Sequence, residues 1–201
     1  MSFYIPRLTI PDCDRRLFEK IAVANPRFYD MNLIDGQLEI IMSLTHNKTN
    51  QIETCIVKQV TSWCDNNENM IGHCGGPTGC FILPNGDVLG PDASVVLYDR
   101  WNVLSEDEKD ETFPQVTPNF IVELRSKSSS SPSCHRKMLR WMDGGAEEGF
   151  LIDPIADPQT VKIYTHDANT NKIIWQDHIK PQTITSQVLT GFTMNMQRIL
   201  W

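Results

Sequence analysis

The chain has 201 residues, 40% hydrophobic and 21% charged, which is ordinary for a globular protein with a substantial core. Its formal net charge of −7 argues against a protein that coats nucleic acid nonspecifically, because such binding needs clustered lysine and arginine. No apolar run approaches the roughly 20 residues of a membrane span, and the scattered cysteines and the absence of a secretory pattern predict an intracellular protein, cytoplasmic or nuclear.

The first predicted element is a short amphipathic helix over residues 15–23. Asp12 is placed to act as its N-cap, and Pro26 is placed to end it. The inward face is expected to carry Leu17, Phe18 and Ile21.

A hairpin and a second helix follow. The segment "YDMNLIDGQLEIIMS" predicts two strands that turn at Asp35-Gly36, a strong short-range hairpin signal. Apolar residues then recur at helical spacing from Asn50 to Cys64 and predict an amphipathic helix. A polar, glycine-rich stretch, "DNNENMIGHCGGPTG", comes next, and its part "GHCGGPTG" is expected to form a turn before the next strand.

The second half of the chain alternates strands with a helix. Two strands are predicted in "CFILPNGDVLGPDASVVLY", joined by a turn at residues 84–87, and residues 99–118 are expected to form an excursion loop. "FIVEL" predicts the next strand. Ser131 as N-cap and Pro132 as the first helical residue predict a helix over residues 133–143, ended by two glycines.

The last third predicts strands again. "GFLIDP" is typical of a short buried strand, "TVKIYT" and "KIIWQD" form a closing hairpin, and the apolar tail packs back on the protein. We therefore expect an α/β (α+β) fold, a mixed central β-sheet flanked by helices and with β-hairpins, in a single domain over residues 1–201.

Two acidic residues stand out, because each adjoins an apolar strand. Asp92 precedes "ASVVL", and Glu123 lies inside "FIVEL" on the face that Ile121 and Arg125 share. If the strands are neighbours, the two carboxylates converge, and they then need a cation or a proton between them; magnesium suits such oxygen ligands. Asp92 as a turn cap and Glu123 in an ion pair stay open as alternatives. The bases considered for that pair are Arg125, Arg136 and Lys137.

Four segments, in order, carry a resemblance to a known family: "LPNGDVLGPDASVVLYDRW", "TPNFIVELRSKSSS", "RKMLRWMDGGAEEGFLIDP" and "VKIYT". They resemble the Uma-type restriction endonuclease family of the PD-(D/E)XK nuclease superfamily. The resemblance implies a restriction-endonuclease-like fold and an enzyme that hydrolyses phosphodiester bonds of DNA. It also implies Mg²⁺ or Mn²⁺ held by Asp92, Glu123 and the carbonyl oxygen of Leu124.

The chain departs from the superfamily pattern two residues after the glutamate, where Arg125 replaces a lysine. Lys137 matches a lysine that the family places on the following helix, so Lys137 is the first candidate for the charge-stabilising group and Arg125 the second. Lys127 and Ser126 are expected to contact substrate. Glu39 matches an acidic position of the first strand pair, although a half-exposed surface glutamate is the plainer interpretation.

Three functions are compatible with the sequence. The first is a magnesium-dependent DNA endonuclease, for which a homodimer stays open. The second is a catalytically silent nuclease-fold module that binds nucleic acid or protein, and the third is an unrelated binding protein. A zinc site is not expected at Cys64, His73, Cys74 and Cys80, because close ligand pairs of the CxxC type are missing.

Overall fold

The computed structural model describes residues 7–25, 29–42 and 47–200. Over these residues the chain forms thirteen strands and five α-helices. In chain order they are β1 (Arg7–Ile10), α1 (Arg15–Ala24), β2 (Tyr29–Ile34), β3 (Gln37–Met42), α2 (Asn47–Asp65), β4 (Ile71–Gly75), β5 (Phe81–Ile82), β6 (Val88–Leu89), β7 (Ala93–Leu97), α3 (Tyr98–Trp101), α4 (Glu106–Lys109), β8 (Phe120–Leu124), α5 (Ser131–Asp143), β9 (Glu148–Asp153), β10 (Thr160–His166), β11 (Ile173–Ile179), β12 (Thr183–Thr185) and β13 (Thr193–Asn195).

Two larger sheets organise these elements. The first has the strand order β1-β3-β2-β6-β5 and is antiparallel throughout. The second has the order β11-β10-β9-β8-β7-β4 and is mixed, because β8 and β9 run parallel while its other pairs are antiparallel. The connection between β8 and β9 contains α5, as a parallel pair requires. The predicted fold class, a mixed sheet with helices and hairpins, is confirmed.

The alternation of side chains along β8 divides the core between the two faces of the mixed sheet. Val122 and Leu124 pack with α2 and the C-terminal segment on one face. Ile121 packs with Trp141 of α5 on the other. Glu123 shares the face of Ile121, so α5 is the helix that covers it.

Helix α1 begins at the predicted residue but with a different cap. The carboxylate of Asp14, not Asp12, accepts the hydrogen bond from the Leu17 backbone N–H at 2.7 Å. The prediction that Leu17 faces inward is wrong, since 44% of it is exposed while Phe18 is fully buried. Pro26, predicted to end the helix, lies outside the described residues.

The hairpin at Asp35-Gly36 is confirmed, with both residues at positive φ, 49° and 71°. Helix α2 begins at Asn47, three residues earlier than predicted. The glycine-rich stretch, expected to form a turn, instead contains a strand: residues 71–75 form β4 and pair with β7. This edge strand escapes prediction because its residues, Ile-Gly-His-Cys-Gly, show no polar and apolar alternation.

The predicted loop over residues 99–118 contains most of α3 and a second helical turn, α4, which begins with a capping box between Ser105 and Glu108. Helix α5 has Ser130, not Ser131, as its N-cap, and Pro132 is its second residue. The predicted end of α5 at two glycines is confirmed, and Gly145 has a φ of 102°, which glycine adopts without strain.

The C-terminal third follows the prediction closely. Strands β10 and β11 pair as the closing hairpin. The tail packs against the face of the mixed sheet that α2 covers, through the buried side chains of Leu189, Phe192 and Met194. Within the described residues, no helix combines the length and the apolar character that a membrane crossing requires.

Candidate active site

A cavity of about 300 Å³ opens between the two larger sheets and is also lined by α2 and α5. Its described lining is rich in acidic side chains and carries only two bases, Arg136 and Lys137. The acids are Asp30, Glu39, Glu53, Asp92 and Glu123. With five acidic side chains against two bases, the lining favours a cation over a bare phosphate.

The two acids singled out in the sequence meet in this cavity. Strands β7 and β8 are antiparallel neighbours, with Ala93 opposite Val122. This register, continued by one residue, places Asp92 beside Glu123. The prediction that their strands are neighbours is confirmed, and both side chains line the same cavity.

The backbone of the adjacent strand holds the carboxylate of Asp92. The Asp92 N–H donates to the Val122 carbonyl oxygen at 3.0 Å, and the Leu124 N–H donates to Asp92 Oδ2 at 2.5 Å. Burial and the nearby charge of Glu123 raise the pKa of Asp92 to about 8, against the opposing effects of Lys137 and of the Leu124 hydrogen bond. Without a metal ion, this carboxylate therefore holds a proton more readily than an ordinary aspartate.

Glu123 is only 7% exposed, and its carboxylate has two side-chain partners on α5. Lys137 Nζ lies 2.9 Å from it, and the Trp141 indole N–H donates to Oε1 at 2.8 Å. Of the three bases considered as its partner, Lys137 forms the pair. Burial raises the pKa of Glu123, while Lys137 and Trp141 act in the opposite direction.

Lys137 is not a solvated helix residue. Besides Glu123, its ammonium donates to the Gly90 carbonyl oxygen at 2.6 Å and so joins α5 to the segment that precedes Asp92. Burial acts to lower the pKa of Lys137, but the charges of Glu123 and Asp92 outweigh it and raise the pKa above its ordinary value. Lys137 therefore stays protonated at neutral pH.

The other candidate residues around Glu123 lie in different surroundings. Arg125 donates to Asp153 at 2.7 Å and to the Ser129 carbonyl oxygen at 3.1 Å, and it does not line the cavity. Ser126 lines the cavity and lies in hydrogen-bond contact with Ser128, 2.5 Å between the hydroxyl oxygens. Lys127 is exposed on the loop between β8 and α5.

Glu39 lies in the cavity wall and not on the surface. It is 7% exposed, lines the cavity, and has Arg136 at 3.5 Å. The interpretation of Glu39 as a half-exposed surface glutamate is therefore wrong. Leu38 and Ile40 pack into a core cluster on the opposite face of β3, so the face that carries Glu39 lines the cavity.

Two acids of the cavity, Asp30 and Glu53, were missed in the sequence. Burial raises the pKa of both, and the charge of Asp30 further raises that of Glu53. The available signal was the position of Glu53 directly after Ile52, at the border of the apolar face of α2. An acid at that border looks like an ordinary solvated residue until the neighbouring sheet is known.

The thiols in the cavity are poorly suited to nucleophilic chemistry. Burial raises the pKa of Cys134 to about 11 and also raises that of Cys80, so both remain protonated at neutral pH. No histidine is among the described residues that line the cavity. The chemistry available here is that of carboxylates with one buried ammonium group.

Comparison with known proteins places this chain in a family. The Uma2 family model, described as "Putative restriction endonuclease", matches residues 17–197. The crystal structure of a "putative nuclease belonging to DUF820" from Anabaena variabilis ATCC 29413 is similar in fold, with a TM-score of 0.65 and 18% identity over 84% of this chain and 88% of that chain. No curated protein matches this chain. Because the family model spans most of the sequence, the chain belongs to the Uma2 family.

Proposed function

We propose that the protein is a metal-dependent endonuclease that hydrolyses phosphodiester bonds of DNA. The observation that carries the proposal is the convergence of Asp92 and Glu123, from neighbouring strands, in one cavity where Lys137 pairs with Glu123. The family and the nuclease-like fold support the reaction class.

The donor set of the cavity fits a hard divalent cation. Mg²⁺ prefers oxygen ligands and is commonly held by one or two carboxylates, with water and phosphate in its other positions. Among the described residues, no group of three or more His, Cys, Asp or Glu side chains could form a cage for a metal ion. Two carboxylates that leave positions open for substrate are compatible with that finding. Asp92 and Glu123 would hold the ion, with the carbonyl oxygen of Leu124 as a further ligand.

A bound divalent cation would lower the pKa of a water ligand and neutralise charge on the phosphate. Lys137 contributes a fixed positive charge on the same side of the cavity. Because the pKa of Lys137 is raised, the group acts by stabilising negative charge on the phosphate and not as a general base. Its bond to Gly90 limits its movement.

Substrate binding is assigned to the mouth of the cavity and to the loop after β8. Arg136, whose side chain is 54% exposed, and Lys127 can contact backbone phosphates, and Ser126 offers a hydroxyl group. The acidic lining favours a cation over a bare phosphate. We therefore expect DNA binding near the cavity to depend on divalent cation.

A catalytically silent nuclease-fold module is the second candidate. Lys137 is already bound to both Glu123 and Gly90, and the cavity carries more carboxylates than bases. In such a module the ion pair would be purely structural, and the fold would serve to bind nucleic acid or protein.

A cleavage assay separates the two candidates. The wild type and Asp92→Asn are each incubated, in Mg²⁺ or Mn²⁺, with three substrates. These are supercoiled plasmid, single-stranded DNA and RNA of the same sequence. Asp107→Asn, on the exposed surface of α4, is the matched control. We expect cation-dependent nicking or cutting of DNA by the wild type and by Asp107→Asn, and its loss in Asp92→Asn.

Equal cleavage by Asp92→Asn and the wild type would contradict the proposal, since it would point to another site or a contaminating nuclease. Absence of cleavage, combined with calorimetric Mn²⁺ binding that Asp92→Asn abolishes, would favour the silent module. Linear product without accumulated nicked circles would indicate that two copies act together on the two strands.

A further inference from the structure

We infer that Trp141 is a positioning residue for Glu123: its indole N–H sets the orientation in which the carboxylate receives a divalent cation. This inference rests on the proposed function, because it takes Glu123 as a metal ligand. Trp141 takes no direct part in the reaction, since an indole is neither an acid, a base nor a metal ligand.

The geometry around Trp141 is that of a fixed hydrogen-bond donor. Its Nε1 lies 2.8 Å from Glu123 Oε1, and the residue is 0% exposed, so water does not compete for this bond. The ring packs edge to face with Phe81, with ring centroids 6.4 Å apart, and belongs to the core cluster beneath α5. The donor therefore has little freedom to turn away from Glu123.

Trp141 and Lys137 stand four residues apart on α5, so both donors reach Glu123 from one face of one rigid helix. Their effects on an incoming cation differ. The ammonium of Lys137 repels a divalent ion, whereas the neutral indole orients the carboxylate without opposing charge. The buried ring of Trp141 is thus the donor that can keep its hydrogen bond to Glu123 when a cation binds the carboxylate.

Hydrogen-bond partners that orient a metal ligand typically contribute about 10- to 100-fold to metal affinity. Replacement of Trp141 by phenylalanine removes the N–H and keeps an aromatic ring. Trp63→Phe is the matched control: it also removes an indole hydrogen bond, to the Thr190 carbonyl oxygen at 3.3 Å, away from the cavity. We expect Trp141→Phe to weaken Mn²⁺ binding by about tenfold in calorimetry, and Trp63→Phe to leave it within about twofold.

A second measurement uses the unmodified protein and does not depend on whether Trp141→Phe folds. In an NMR titration with Mg²⁺, we expect the Nε1–H signal of Trp141 to shift, with no such shift in Asp92→Asn. The Trp63 signal should stay unchanged. The Trp141 signal is identified by its absence from the spectrum of Trp141→Phe or, if that variant is unfolded, by contacts to the Phe81 ring.

Together, these measurements distinguish loss of the positioning role of Trp141 from absence of the metal site. If the wild type binds Mg²⁺ and Asp92→Asn does not, but the Trp141 signal is unmoved and Trp141→Phe binds normally, the positioning role is overturned and the metal site stands. If the wild type binds neither Mg²⁺ nor Mn²⁺, the metal site and the positioning role both fall.

Discussion

Lys137 and Glu123 form a close ion pair, 2.9 Å between ammonium and carboxylate, although one lies on α5 and the other on β8. The superfamily pattern that this chain resembles has its lysine on the strand, two residues after the glutamate. In this chain the ammonium group that contacts the carboxylate comes from helix α5. The position on the strand is occupied by Arg125, which pairs with Asp153 instead.

We predict that Lys137→Met lowers DNA cleavage by about 100-fold, as expected when one group that stabilises transition-state charge is removed. The free energy of unfolding should fall by about 3 kcal/mol, because Glu123 is left buried without its partner. Steady-state kinetics on an oligonucleotide and urea unfolding measure the two effects.

Lys172→Met, at an exposed turn, serves as the control for Lys137→Met and should change neither quantity appreciably. Full cleavage activity in Lys137→Met, at normal protein fold, would remove Lys137 from the proposed chemistry.

Arg125 is predicted to contribute to stability and not to cleavage. Arg125→Gln breaks the charged hydrogen bond to Asp153 and should reduce the free energy of unfolding by about 2 kcal/mol. The rate of cleavage under conditions where the variant is folded should remain within about threefold of the wild type. A loss as large as that of Lys137→Met would return Arg125 to the active site.

The pKa of Asp92, raised to about 8, predicts how stability depends on pH in the metal-free protein. From about pH 4, the ordinary aspartate value, to about pH 8, the native state keeps a proton that the unfolded chain has lost. This contribution to stability is complete below that window and is lost as the pH rises through it. Asp92→Asn lacks the titration, so its melting temperature should gain on that of the wild type between pH 5 and pH 8.5.

Thermal melts in EDTA at several pH values test this linkage. If the curves of the wild type and Asp92→Asn run parallel from pH 5 to pH 8.5, Asp92 does not hold the extra proton. With Mn²⁺ present, the ion must displace that proton, so its affinity should rise with pH and level off near pH 8.

Glu39 provides a further test of the acidic cavity. Because it is buried in the same lining as Asp92 and Glu123, Glu39→Gln removes negative charge that attracts a cation. We predict about tenfold weaker Mn²⁺ binding in calorimetry, similar to the effect of removing a residue that supports a metal ligand without binding the metal itself. Glu68→Gln, on the exposed surface, is the control, and equal affinities of both variants would place Glu39 outside the metal environment.

Local patterns in the sequence were sufficient for several elements around the site. The Asp35-Gly36 turn, the apolar strand around Glu123 and the glycine end of α5 each depend on contacts within a few residues, and all three are confirmed. Strand β4 was missed because its residues, Ile-Gly-His-Cys-Gly, do not alternate between polar and apolar types. Its formation depends on pairing with β7, which lies far away in the chain.

The surroundings of the acids depended on packing between distant elements and escaped local reasoning. Glu39 and Glu53 become cavity residues only because the β2–β3 hairpin and α2 border the same cavity as Asp92 and Glu123. Three bases were plausible partners of Glu123 from spacing alone, and the crossover between β8 and β9 selects Lys137. Trp141 gave no functional signal in the sequence, since a tryptophan on an apolar helix face is usually a core residue.

Crystals soaked in Mn²⁺ and measured at a wavelength where manganese scatters anomalously would show whether Asp92 and Glu123 share one divalent cation. We predict one strong anomalous peak in the cavity, within coordination distance of a carboxylate oxygen of each residue, and no such peak in Asp92→Asn. A cavity without manganese at a saturating concentration, with the Lys137–Glu123 pair intact, would contradict this prediction.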